Sequence, residues 1–461
     1  MKYTLIKPYK LNLILTMLFI SILFAKTVFG QQLETVLPTK EQVEWADAEM
    51  GVIIHLDINI FEPSTFDYTK RETLPIADAF NPSKLSTDQW IRTAKAAGAR
   101  YALLTVKHGT GFCLWPSKAN TYNVGHIKWR NGREDILKDF VASCKKYGIK
   151  PGLYYNTNMN TFYGAGYKHF VNDSAQVAYN KAVLLQLNEL WSNYGEMFEI
   201  WFDGGIMAEN KKGIETGVLK LIQTKQPHAI LFQGPLSFKN IIRWVGNEDG
   251  IAAYPQWSRT NATTSSDGIV KIEDLHGDPD GKIWCPAESD FPIRRNNAWN
   301  GGWLWKANQE GYLFTVNELV DKYFKSVGRN TNMLIGMVVD TSGRIPTADS
   351  LVFDSLGKKL KQLFDNPLTP SKKSNKKVVQ FDFPIPKKVS RVLIQEDIAK
   401  GENIRRYSVE AWIDNNWKEI ANGLSVGHKR IQTFSIVTTR KLRIKVNESV
   451  GPVNIKAITF Y

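Results

Sequence analysis

The sequence predicts an α/β chain that closes as a (β/α)8 barrel, followed by a small all-β jelly-roll sandwich. Three observations carry this. From about Glu44 to Phe364, short β-branched runs alternate with amphipathic helical stretches, the pattern of a parallel sheet wrapped by helices. No glycine-rich GxGxxG follows the first strand, which argues against an open dinucleotide-binding sheet. Beyond Lys377 the text changes to short strands separated by turn residues. A chain of 461 residues with 43% hydrophobic content can fill one large core and a second small one.

The first thirty residues stand apart. Lys2, Lys7 and Lys10 precede the apolar run Leu11 to Ala25, and small residues surround Val28 and Gly30. This reads as a signal peptide over 1–30, so the chain is expected to be exported, to the periplasm or outside the cell, with no membrane span left in the mature protein. Removing that segment takes away four lysines (2, 7, 10 and 26) and no acid, so the net charge falls from +14 to +10. No arginine-rich helix or nucleic-acid motif accompanies the basic balance, so nucleic acid is not an expected partner. Cys113, Cys144 and Cys285 make an odd count and read as buried thiols rather than a disulfide framework. No Cys/His spacing resembles a zinc site, so neither metal nor cofactor is expected.

Residues 31–365 are expected to form the barrel. Its eight strand candidates are Gly51 to Asp57, Arg100 to Val106, Ile149 to Tyr155, Met197 to Asp203, Ala229 to Gln233, Arg243 to Gly246, Lys282 to Ala287 and Asn332 to Gly336. Ser86-Thr87-Asp88 starts a helix over Trp90 to Ala97, and Val177 to Tyr194 forms another ahead of Met197. The stretch 366–377, NPLTPSKKSNKK, has prolines, serines and lysines without apolar period and reads as a linker. Residues 378–461 follow as the sandwich, with strands in Val392-Leu393-Ile394, Tyr407 to Trp412, Leu442 to Val446 and Ile455 to Tyr461. Its text resembles the galactose-binding-like modules attached to many glycosidases.

Chemistry in such a barrel gathers where strands end. The run Phe198 to Phe202 ends in Asp203 followed by Gly204-Gly205, an acid at a strand end with glycines that permit a sharp turn. Hydrolysis of a glycosidic bond needs two carboxyl groups, one ionised and one protonated. The second candidate is Glu248 in WVGNEDG (244–250); Glu288 in WCPAESD (284–290) is its rival.

With these motifs in view, the chain from about Glu44 to Asp340 resembles the family 29 glycoside hydrolases, α-L-fucosidases that act with retention. WFDGG (201–205) resembles the nucleophile motif, so the resemblance gives Asp203 that role. WVGNEDG resembles the acid/base loop of the branch that favours α-1,3- and α-1,4-linked fucose, which gives Glu248 the acid/base role and leaves Glu288 as the alternative. KHGTGFCLWPS (107–117) and YFKSVGRNTNMLIG (323–336) also look like family text. The resemblance implies a fucosylated glycan substrate, with His55, His108, Tyr155 and Trp201 as candidate sugar contacts. Trp115 and Phe112 are candidates for the apolar wall that the C5 methyl group of fucose requires, and Arg294 for a hydroxyl or an anionic group.

Many members carry two histidines and an aspartate where this chain has His108-Gly109-Thr110. Two other readings therefore stand beside the first. The net charge of +10 and the Arg294-Arg295 pair suit fucose in sulfated fucans or another L-sugar, and the altered histidine motif suits an inactive fucose-binding protein.

Overall fold

The structure, a computed structural model, describes residues 36–461 except 63, 167–168, 171, 207–213, 265–269, 273 and 376. The expected leader over 1–30 lies outside the described residues. Eight parallel strands close a barrel in sequence order: β1 (Met50–His55), β2 (Tyr101–Lys107), β3 (Lys150–Asn156), β4 (Glu199–Asp203), β5 (Ile230–Phe232), β6 (Ile241–Trp244), β7 (Ala287–Pro292) and β8 (Asn332–Val338), which returns to β1. Among the described residues, no helix is long and apolar enough to cross a membrane.

Helix α1 (Lys40–Ala48) precedes the barrel and lies against its N-terminal end, where Gln42 donates to the carbonyls of Ile241 and Trp284. Helices α2 (Thr87–Ala97), α3 (Ile136–Tyr147) and α4 (Asp173–Asn193) follow β1, β2 and β3. Ser86 caps α2 by accepting from the Gln89 amide at 3.2 Å, and Gly98 ends it in the left-handed region. Helix α5 (Glu215–Lys225) follows β4, α6 (Val316–Lys325) precedes β8 and α7 (Thr347–Phe364) follows it. No helix stands between β5 and β6. Between β6 and β7 the described residues form two short antiparallel ribbons, 259–260 with 283–284 and 263–264 with 270–271.

Two expected boundaries differ. The strand anticipated over Lys282 to Ala287 divides: Ile283–Trp284 belongs to a ribbon, and the barrel strand runs on from Ala287. The anticipated linker holds strand β9 (Ser371–Asn375), the edge of the C-terminal sheet, paired with β10 (Val378–Glu396). All five of its residues are exposed, so it has no apolar alternation to reveal it, and Lys372 and Lys373 sit where an edge strand carries charge against further pairing.

The remaining strands of that sheet are β11 (Ile404–Ile413), β12 (Asn416–Gly423), β13 (Arg430–Ser449) and β14 (Ile455–Phe460), in the order β9-β10-β13-β11-β12 with β14 on β10. The long pair β10 and β13 breaks register after Asp382 and again after Val389. Breaks of this kind bend a strand, and the bent pair wraps a core of Phe381, Val392, Tyr407, Leu442 and Ile444.

Candidate active site

Alternation along β4 turns Glu199, Trp201 and Asp203 into the barrel lumen, at increasing height toward its C-terminal mouth. Low in the lumen, Glu199 Oε2 accepts from Trp45 Nε1 of α1 at 2.8 Å. Above it, Glu288 Oε1 accepts from Tyr101 at 2.6 Å and Oε2 from Trp201 Nε1 at 3.0 Å. Glu199 Oε1 meets no donor except the Glu288 carboxyl, and two carboxyls in contact need a shared proton. Burial pushes both above the ordinary carboxyl range, Glu288 to about 7.

At the mouth, Asp203 Oδ2 accepts from Tyr154 Oη at 2.6 Å and Asn156 Nδ2 at 2.9 Å, while its backbone carbonyl accepts from Asn158 at 2.7 Å. Among the described residues nothing donates to Oδ1. Gly204 and Gly205 both have positive φ, the conformation that makes them glycines. Asn156 is held in turn: the buried Lys107 ammonium donates to its carbonyl and, at 3.0 Å, to Tyr179. Burial pulls that ammonium down to about 7.

From Asp203 a continuous wall of rings leads around the mouth. Tyr154 stacks on His108 at 5.7 Å and on Trp201 at 5.5 Å; His55 lies 5.9 Å from Tyr154 and 5.1 Å from Trp303. Trp303 Nε1 then donates to Glu248 Oε2 at 2.9 Å. Glu248 is exposed, on a turn bounded by Gly246 and Gly250, both with positive φ. The two carboxyl groups therefore edge one mouth, with Glu288 in the lumen below. Burial, with His108 beside it, takes the His55 ring down to about 3, so it is neutral. Its Nδ1 lies 3.4 Å from the Ile53 carbonyl, and a hydrogen there leaves Nε2 as an acceptor for a sugar hydroxyl.

Residues 33–363 match the family model for α-L-fucosidase. The chain belongs to the α-L-fucosidase family. It is a glycoside hydrolase, and family 29 is its place among them. Residues 354–458 match the F5/8 type C domain. Alpha-L-fucosidase 1 of Arabidopsis thaliana is 29% identical over 90% of this chain and 85% of its own. A Bacteroides thetaiotaomicron crystal structure assigned as an α-L-fucosidase superposes with TM-score 0.86 at 34% identity, covering 93% of this chain and 99% of that one. A Ruminococcus gnavus GH29 fucosidase in complex with fucose gives 0.78 at 25%, covering 92% and 95%.

Of the residues singled out in the sequence, Asp203, Glu248, His55, His108 and Trp201 come together in this fucosidase. Four others do not. Tyr155 points away from the lumen and donates to Gln186 of α4 at 2.6 Å, because strand parity gives the inward position to Tyr154. Trp115 is buried, its Nε1 donating to Glu189 at 3.0 Å, and Phe112 packs beside Phe80 and Tyr122, so neither is a wall for a sugar methyl. Arg294 is buried in a bidentate pair with Asp349 at 2.6 and 2.8 Å, and Arg295 pairs with Glu318 at 2.7 and 2.9 Å. Both guanidiniums are thus committed within the fold, which removes the motive they gave for a sulfated substrate.

Tyr154, Asn156, Tyr68 and Trp303 were missed. Tyr68 reaches His108 Nδ1 at 3.3 Å and accepts from Asn59 at 3.0 Å. A Cβ on Gly109 would stand 2.5 Å from Met159 Cε and 2.8 Å from the Tyr68 ring, so glycine at this position leaves room for both side chains. Strand parity would have found Tyr154 and Asn156; loop residues Tyr68 and Trp303 carry no signal at this spacing.

Proposed function

We propose that this α-L-fucosidase is a retaining enzyme that releases α-1,3- and α-1,4-linked L-fucose from branched glycans by double displacement. The observation that carries the reading is the wall from Asp203 through Tyr154, His55 and Trp303 to Glu248, which puts two carboxyl groups of unequal surroundings at the edge of one mouth. Asp203 Oδ1 attacks C1 of fucose while Oδ2 stays in its hydrogen bonds. The bond from C1 to the leaving oxygen breaks as Glu248 gives that oxygen its proton. Glu248 then takes a proton from water, the water oxygen attacks C1, the aspartyl ester breaks, and fucose leaves with its anomeric configuration kept. His55, His108 and Trp201 hold the sugar. Glu248 is preferred to Glu288 for the acid because both Glu288 oxygens are engaged beneath Trp201, away from any leaving group.

Proton NMR of the first product tests the stereochemistry: α-L-fucose is expected to form first, and first formation of the β anomer overturns the mechanism. Azide added to Asp203→Gly is expected to restore cleavage of an activated fucoside as the β-fucosyl azide. The linkage reading rests on the likeness of WVGNEDG to one family branch; Lewis trisaccharides are expected to be cleaved well ahead of 2′-fucosyllactose. Export is proposed from the basic and apolar leader, and a mature chain starting near residue 31 outside the cytoplasm tests it.

A further inference from the structure

The segment that follows Glu248 is held jointly by the barrel and by the second domain. Beyond Gly250, the residues Ala252, Gln256, Trp257 and Ser258 are all buried, yet no helix or barrel strand contains them. Ala252 is held from the barrel side, its amide donating to the Lys325 carbonyl at 2.9 Å and its carbonyl accepting from Arg329 at 2.6 Å, while Tyr254, Gln256 and Ser258 reach the β-sandwich. Tyr254 Oη accepts from the Leu424 amide at 2.8 Å, and the Arg430 guanidinium lies 4.1 Å above its ring. The Gln256 amide donates to Ser425 Oγ at 3.2 Å.

Ser258 makes the closest joint. Its amide donates to Glu402 Oε2 at 2.9 Å and its hydroxyl to Oε1 at 2.6 Å. Asn330, on the turn leading into β8, donates to the same Oε1 at 2.6 Å. Glu402 is 3% exposed, so these three charge-assisted bonds replace its water. Its loop is braced from inside the sandwich, where Glu396 accepts from the amides of Asn403, Ile404 and Gly427 at 2.8, 3.0 and 3.0 Å.

On the barrel side the joint runs back to the mouth. The Ser258 carbonyl accepts from the Cys285 amide at 2.8 Å, two residues before β7. Within β7 the Asp290 carbonyl accepts from the Gly250 amide at 3.3 Å, where the Glu248 turn ends. Within that turn the glycines at 246 and 250 supply no side chains, and the Asn247 side chain donates to the Ile251 carbonyl at 2.9 Å. Lys322 of α6 donates to the Asp249 carbonyl and Trp303 to Glu248 from the barrel side, and the segment that follows the turn adds the hold of the second domain.

We propose that Glu402 of the β-sandwich is a positioning residue for the Glu248 turn, so that the C-terminal domain works as part of the acid/base machinery. This rests on the reading of Glu248 as the acid. A displaced acid has a specific signature. A leaving group such as para-nitrophenolate departs without a proton, whereas a sugar alkoxide needs one, so misplacing Glu248 lowers kcat/KM only for the second; the shared hydrolysis of the fucosyl-enzyme enters kcat and not kcat/KM. Loss of mere domain adhesion slows both alike through loss of folded protein.

The test compares Glu402→Gln, Glu402→Ala and Ser258→Ala in the full chain, on para-nitrophenyl α-L-fucoside and on a fucosyl disaccharide, with melting temperatures recorded. The disaccharide kcat/KM is expected to fall on the order of tenfold to a hundredfold, the size of effect that small misplacements produce. The kcat/KM of the activated fucoside is expected to stay within about twofold. Equal losses on both substrates, or none on either, in variants that remain folded would overturn the proposal. Should Glu402→Ala fail to fold, Ser258→Ala removes a single hydroxyl and decides the question. Glu248→Gln serves as the reference: if it spares the disaccharide, the acid/base reading falls and this inference with it, whereas a selective Glu248→Gln beside unselective Glu402 and Ser258 variants overturns this inference alone.

Discussion

Asp203 ends a barrel strand and takes two hydrogen bonds on one carboxylate oxygen, from side chains of the neighbouring strand. Glu248 stands exposed on a turn between two left-handed glycines and takes one, from Trp303. In the proposed mechanism the difference follows the work each carboxyl is given. A nucleophile keeps a single partner, C1, and gains most from a fixed line of attack. An acid/base must give a proton to one oxygen and take a proton from another, so it has to meet leaving group and water from outside. Rigid strands serve the first task; a loop trained by a second domain serves the other.

The comparison is broken most directly at Asp203. Asp203→Asn keeps the shape and the Oδ2 contacts and removes the charge that attacks. We expect kcat/KM to fall by roughly ten-thousandfold or more, equally for activated and sugar leaving groups. A loss that depends on the leaving group would transfer the acid role to this side of the mouth.

Tyr154→Phe sharpens the same contrast at smaller scale. It removes the 2.6 Å hydrogen bond to Oδ2 and leaves the ring that stacks on His108 and Trp201. A bond to a charged group is worth about 2 kcal/mol, so kcat is expected to fall by roughly thirtyfold on both substrates with KM little changed. An effect confined to KM would make Tyr154 a sugar contact rather than a support for the nucleophile.

How much of this was legible in the sequence depended on where polarity and strand pattern agree. Asp203 closes a β-branched and aromatic run, so strand and acid announce each other. β7 is harder, because its AESDFP places Glu288 and Asp290 where a buried strand carries apolar residues; the preceding ribbon over Ile283–Trp284 looked more like a strand and drew the boundary. Buried, hydrogen-bonded polarity overrode the pattern there. Tyr155 was chosen in place of Tyr154 through a one-residue error of parity, which in a strand exchanges the lumen for the helix layer. Trp303 and Glu402 were invisible because loops bring together residues with no fixed spacing, 55 apart for Trp303 and Glu248 and 144 apart for Glu402 and Ser258.

The lumen beneath the mouth gives the smallest effect. Glu199 and Glu288 hold a proton between them because burial raises both above the ordinary value of 4.5, Glu288 to about 7. Unfolded, each carboxyl loses its proton near the ordinary value. A raised carboxyl contributes its stability fully below that value and loses it as pH rises through the folded one. The wild-type melting temperature is therefore expected to decline from about pH 5 to about pH 8, as Glu288 loses its proton and the pair is left with the one it shares. Glu199→Gln supplies a permanent N–H toward Glu288 and is expected to flatten that decline while kcat stays within about twofold, since Trp201 keeps its acceptor. Thermal unfolding across that range checks it. A variant that keeps the full wild-type slope would show that the shared proton is not what the lumen defends, and the height of Trp201 beside Asp203 would then rest on Tyr101 and ring packing alone.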